Sequence, residues 1–134
     1  MEIIIHVESR KLDTDYMAAI EEYCKRTGPY CKIRLDLCKD FSKLKPHTSS
    51  LVLQVLPGKQ SPSSPALAEQ ITRWNLSGYS RLEFIITKDS RTIPLDCKSF
   101  SISSFSLSPD LTAVVLCEQI YRAYTILNHI TYHK

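Results

Sequence analysis

The side chains best able to do chemistry gather near the end of the chain. Glu118 and Arg122 are four residues apart. On a helix they would share a face and could simply pair along it, an interaction worth roughly a few tenths of a kcal/mol on a surface. Tyr132, His133 and Lys134 follow at the terminus. His129 and His133 are also four apart and would share a face if a helix ran that far. A metal pair is then conceivable, but no third ligand is evident and no metal is expected. Glu118 and Arg122 stand among apolar neighbours, where a charge needs a partner or a task. Elsewhere the sequence excludes chemistries. With only three glycines (Gly28, Gly58, Gly78), neither G-x-G-x-x-G nor G-x-x-x-x-G-K-[ST] occurs. No serine or cysteine stands in a nucleophile elbow.

These residues need a helix to hold them, and the run from Ser108 supplies one. Ser108 suits the cap, Pro109 the first turn, and Asp110 the positive end of the dipole. Leu111, Val114, Val115, Leu116, Cys117, Ile120, Tyr121, Tyr124, Ile126 and Leu127 then fall on nearly every side. A helix apolar nearly all round needs two packing partners. The chain's own sheet is one expected partner and a second copy of the chain the other.

Upstream, strands alternate with helices. Glu2–Val7 reads as a strand buried on both faces. Asp13 or Thr14 caps a helix carrying Tyr16, Met17, Ile20, Tyr23 and Cys24 on one side, ended by Gly28-Pro29. Lys32–Cys38 alternates as a half-buried strand. The polar stretch from Asp40 to Ser50 reads as a loop. Ser50–Leu56 is a strand closed by Pro57-Gly58. Ser63 or Ser64 caps a helix that ends near Gly78. Leu82–Thr87 is a further strand and Lys88–Ser99 is irregular. Phe100–Leu107 is a strand, or a loop pinned by Phe100, Ile102, Phe105 and Leu107. The alternation predicts a single α/β domain over residues 1–134, with a mostly parallel sheet flanked by helices.

Composition agrees. The 134 residues carry a net charge of +3, and nine Lys or Arg against six acidic residues lie between Arg10 and Lys45. That excess suits phosphates or is a solvated surface. Five cysteines (Cys24, Cys31, Cys38, Cys97, Cys117) form no CxxC and leave one unpaired. With no signal peptide and no long apolar span, they read as reduced thiols of a cytoplasmic protein without membrane contact.

Several motifs in shared order resemble the RlmH family, the knotted SPOUT-class methyltransferases of a pseudouridine in 23S ribosomal RNA. Glu118-Gln119-x-Tyr121-Arg122-Ala123-Tyr124, Ile126-Leu127-Asn128 and Tyr132-His133-Lys134 resemble its end. Lys11-Leu12 through Lys25-Arg26 resembles its first helix, and Pro57-Gly58-Lys59 and Leu67-Ala68-Glu69 to Arg73-Trp74 its middle. The resemblance implies a C-terminal trefoil knot, a homodimer and S-adenosyl-L-methionine as cofactor. It places that cofactor in three loops: Gln54 with Val55; Thr87 to Arg91; and Ile102, Ser103, Ser104, Phe105, Ser106 and Leu107. It gives the RNA side to Glu118, Tyr121, Arg122 and Lys134, with Arg122 and Lys134 on phosphates. Tyr132 or His133 would meet the base, and His133 is the implied proton acceptor, its ordinary pKa lying near neutrality. Methyl transfer asks mainly for alignment of donor and acceptor.

The match departs in places. The family's second loop is glycine-rich, whereas this chain has Thr87, Lys88 and Arg91. A helix expected between Cys38 and Leu51 is missing, and the segment near Leu95–Ser99 is trimmed. The alternative expectation is therefore a catalytically degenerate homodimer that no longer takes the methyl donor and binds RNA or the ribosome.

Overall fold

The computed structural model describes every residue except Ser90, Thr92, His133 and Lys134. Eight elements follow in order: β1 (Glu2–Glu8), α1 (Thr14–Thr27), β2 (Lys32–Cys38), β3 (Ser50–Val55), α2 (Ser64–Leu76), β4 (Arg81–Ile86), β5 (Lys98–Phe100) and α3 (Pro109–Leu127). The strands form one sheet in the order β2-β1-β4-β3-β5, and every pairing is parallel. Parallel strands need crossovers, which is why helices alternate with them.

The caps follow the sequence. The Asp13 side chain accepts the Asp15 N–H at 2.9 Å, and Ser63 and Ser108 cap α2 and α3 by accepting from Ala66 and Leu111. Gly78 has φ of +99° just past α2, a conformation that favours glycine.

All three helices pack on one face of the sheet. Ile3, Ile5, Val7, Leu51, Leu53, Leu82, Phe84 and Ile86 point into that core and meet Ile20 of α1, Leu67 and Ile71 of α2, and Leu116 and Ile120 of α3. Among the described residues the opposite face carries no helix. Val52 and Ile85 are covered there by loop residues Phe41 and Ile93, with Leu44, Leu95 and Cys97 alongside. The loop read between Asp40 and Ser50 is thus half of that cover.

Four expectations are refined. Much of the apolar surface of α3 is used within the chain, where α3 lies between α1 and α2 above the sheet, while Ile126 stays exposed. Lys98–Phe100, placed largely in an irregular stretch, pairs with β3 as an edge strand. Only Phe100 in it is apolar and buried, edge-on to Phe84 at 5.4 Å between ring centroids, so it shows no alternation to read. Residues 101–107 form a loop, and Phe105, expected to pin it, is 76% exposed. The helix also stops at Leu127, and His129 has φ of +55°, so the helical phase that would align it with His133 is lost.

Candidate functional site

Parallel strands present their carboxyl ends at one edge of the sheet, where open α/β sheets bind ligands. A narrow cleft with about 40 Å³ of space open to water lies there. Val55, Leu56 and Pro57 enter it from the end of β3. Ile86, Thr87, Lys88 and Asp89 enter from the end of β4. Ile102, Ser103, Phe105, Ser106 and Leu107 close a third side, and Thr112 in the first turns of α3 a fourth. The lining mixes apolar side chains with hydroxyls, backbone groups and the charged side chains of Lys88 and Asp89, a mixture that suits a small amphipathic ligand.

The first and third loops are locked together at Gly58. Its N–H donates to the Ser103 carbonyl at 3.1 Å, and the Leu56 N–H to the Phe100 carbonyl at 2.9 Å. A Cβ on Gly58 would lie 3.0 Å from the Ser101 Cβ, so any larger residue would push the two loops apart by a few tenths of an ångström. The Ser101 hydroxyl donates to the Ser103 carbonyl at 3.0 Å.

The second loop is shaped without glycine. The Lys88 N–H donates to Glu8 Oε1 at 3.0 Å, and the Arg91 guanidinium donates to Glu8 Oε2. Arg91 Nη1 donates to Asp89 Oδ1 at 2.7 Å, and Thr87 Oγ1 donates to the Asp89 carbonyl. The hydrogen bond from Arg91 is the main cause that holds the Glu8 carboxyl below its usual range, with burial opposing it. Arg91 does not line the cleft, whereas Lys88 does.

Gln54 and Ser104 also fall outside the cleft wall. Side chains alternate along a strand, so Gln54 faces the helix-free side, where its Nε2 donates to the Arg91 carbonyl at 2.7 Å. Ser104 is exposed on the outside of its loop. Thr87, Ile102, Ser103, Phe105, Ser106 and Leu107 all reach the cleft.

A second cluster forms on α3. Arg122 Nε donates to Glu118 Oε1 at 2.9 Å, a half-buried pair. Glu118 Oε2 accepts from Gln119 Nε2 at 2.7 Å. The chain after α3 folds back so that the Arg122 guanidinium carbon sits 4.8 Å from the centre of the Tyr132 ring, within cation–π range. Tyr121 meets Tyr132 edge-on at 4.9 Å, and Tyr23 of α1 stands 6.2 Å from Tyr121. Burial, then the neighbouring Tyr23 and Glu118, push the Tyr132 phenol up to about 12, against a smaller pull from Arg122. Near neutral pH it is a hydrogen-bond donor rather than a base. Glu118, Tyr121, Arg122 and Tyr132 are therefore together, as expected, with Tyr23 added from α1. His133 and Lys134 lie outside the described residues.

The two clusters are apart in one chain. From Thr112 to Arg122 is ten residues, about 15 Å along the axis and on a different side of the helix. Sequence reasoning missed Glu8 and Thr112. A carboxylate closing an apolar strand was the available signal for the first.

An all-parallel sheet with a cleft at its strand ends, and an aromatic cluster around a Glu118–Arg122 pair on its last helix, defines an open α/β domain with its helices on one face. A family model described as "Predicted SPOUT methyltransferase" matches residues 1–133. The chain is 35% identical over 132 residues to ribosomal RNA large subunit methyltransferase H 1 of Thermoanaerobacter sp. (strain X514), covering 97% of each. It is 30% identical over 146 aligned positions to ribosomal RNA large subunit methyltransferase H of Limosilactobacillus reuteri (strain DSM 20016), covering 89% of this chain and 91% of that one. The chain belongs to the SPOUT methyltransferase family, as a member of its RlmH branch. It spans nearly the full length of the Thermoanaerobacter relative, so the shortness noted in the sequence is shared with it. No helix among the described residues is long and apolar enough to cross a membrane.

Proposed function

We propose that this protein is a working cytoplasmic methyltransferase that uses S-adenosyl-L-methionine and acts on a pseudouridine of 23S ribosomal RNA. The observation that carries the reading is the open cleft at the ends of β3 and β4, with Arg91 drawn away from it. A cofactor loop whose bulky residues plugged the cleft would have favoured the degenerate reading instead.

The residues fit the donor. The missing Cβ at Gly58 lets the first and third loops form a narrow slot, and Val55, Ile86, Ile102 and Leu107 wall it with apolar surface. Phe105, exposed at the mouth, offers a face for an aromatic base. Backbone groups of the first and third loops and the hydroxyls of Ser103, Ser106 and Thr112 supply hydrogen bonds. Asp89, beside Lys88, offsets its positive charge close to the ligand. S-adenosyl-L-methionine supplies an already activated methyl group on a sulfonium. The chain's own work is to hold that group in line with a nucleobase nitrogen and to keep water out.

On the RNA side, Arg122 binds a phosphate and Tyr132, held by Arg122 and Tyr121, presents its ring to a base. His133 takes the proton from the nucleobase and Lys134 neutralises a second phosphate. The separation of Arg122 from the cleft within one chain supports a homodimer in which the tail of one subunit serves the cleft of the other. Ile126 and Ile130, exposed near the end of α3, supply apolar surface for it.

The test is methyl incorporation into ribosomes by the purified protein. Arg122→Ala should lower kcat/KM by about tenfold or more, the loss of a charged hydrogen bond, while donor affinity changes less than about twofold. No incorporation by the wild-type protein into either free 23S RNA or ribosomes sinks the reading.

A further inference from the structure

We infer that Glu8, together with Gln54, is the positioning residue for the methyl-donor loop of this chain, a role that rests on the reading above that the cleft takes S-adenosyl-L-methionine. The loop from Thr87 to Arg91 contains no glycine that could let its backbone turn toward a ligand without strain or obstruction. Its shape is imposed from outside. Strands β1 and β3 flank β4, from which the loop emerges, and each sends one buried polar side chain under it. Glu8, 5% exposed on β1, takes the Lys88 N–H with one carboxylate oxygen and the Arg91 guanidinium with the other. Gln54, 3% exposed on β3, donates to the Arg91 carbonyl. Asp89 adds a contact to Arg91 from within the loop.

The consequence is directional. Arg91 is gripped at its carbonyl and at its guanidinium by groups on the helix-free side of the sheet, so its bulk leaves the cleft. Thr87, Lys88 and Asp89 are left to form the wall. A buried strand position in a parallel sheet is ordinarily apolar, and an ionised carboxylate there is costly unless fully paired. Among the described residues, Glu8 finds its side-chain partners only in this loop, which ties its presence to the loop's geometry rather than to the core.

The experiment measures binding of S-adenosyl-L-methionine and of S-adenosylhomocysteine by calorimetry, with methyl-transfer kinetics in both substrates, on the full chain. Glu8→Ala should raise the donor Kd and KM by about tenfold or more, the loss of a charge-assisted contact, with the KM for RNA within about twofold. Arg91→Ala should act in the same direction. The double variant should be no worse than the worse single one, because both remove one shared contact. Glu8→Gln, which keeps an acceptor for the Lys88 N–H, should recover part of the loss. Should Glu8→Ala fail to fold, Gln54→Leu removes the carbonyl contact without stranding a charge and must still raise the donor KM selectively. Folded variants with wild-type donor affinity, or additive effects of Glu8→Ala and Arg91→Ala, overturn the positioning role alone. A wild-type protein that binds neither donor nor product overturns the cofactor reading and this role with it.

Discussion

Glu83 and Phe84 are neighbours on β4 and both are buried, yet they face different worlds. Phe84 points into a core built by three helices, where every sheet residue it meets is apolar. Glu83 points to the side covered by loops. There its Oε1 lies 2.8 Å from His6 Nε2, while His6 Nδ1 lies 2.7 Å from Asp36 Oδ2. Glu8 and Gln54 share that side and hold the cofactor loop. The helix face shows how burial alone organises a sheet. On the loop face the buried polar side chains are hydrogen-bonded, Glu83 and His6 across strands and Glu8 and Gln54 to the loop beside them. Among the described residues, Glu83 Oε2 alone of that carboxylate is left without a partner. The missing helix after Cys38 and the loss of glycine in the second loop meet on this one face.

The comparison breaks first at its apolar side. Phe84→Ala should cost about 4 kcal/mol in chemical unfolding, because the helices cannot collapse onto the void. A loss below about 1 kcal/mol would mean the helix face is not the structural core. On the other side, His6→Leu should cost about 3 kcal/mol by leaving Glu83 buried without its partner. Adding Glu83→Leu should recover most of that, since an apolar pair suits the site as well as a hydrogen-bonded one. If the two losses instead add, the carboxylate–imidazole contact is not what holds this face.

At the rim, Gly58→Ala should cost about 2 kcal/mol, since its Cβ would crowd Ser101. Ser101→Gly in the same chain should restore much of the stability and the donor affinity. Recovery of neither would place the strain elsewhere. The smallest effect is the pH dependence of Glu8. Its folded-state carboxyl lies below the ordinary 4.5, chiefly through the Arg91 hydrogen bond. It therefore contributes stability that is fully present above 4.5 and is lost as the pH falls through the folded value. Glu8→Gln should make the acid limb of the stability curve shallower, and an unchanged limb would deny the pair any role in folding.

What the sequence displayed, and what it hid, follows the same division. Every helix was legible from its cap and its phase, which are local signals, and α1 and α2 also from the glycines at their ends, Gly28 and Gly78. The strands facing helices were legible from their apolar runs. Lys98–Phe100 was not, since a strand of three residues carries no period. The direction of Arg91 was hidden for a different reason. It is set by Glu8, 83 residues earlier in the chain, and by the register that brings β1 and β3 to either side of β4. Gln54 was given to the cofactor loops by the family resemblance, but alternation along β3 turns its side chain to the far face. The tail cluster was legible in type and in company, because helical spacing fixes Glu118 beside Arg122. That Tyr132 returns to stack on it depends on a reversal after Leu127 that no local signal announced.

The most direct test of the account is a titration of the intact protein with S-adenosyl-L-methionine, followed by thermal unfolding. At a hundred times the dissociation constant, a ligand confined to the folded state adds about 2.7 kcal/mol of stability. The account predicts a saturable rise in Tm with a single site per chain, diminished in Glu8→Ala. An unchanged Tm at millimolar donor would contradict it.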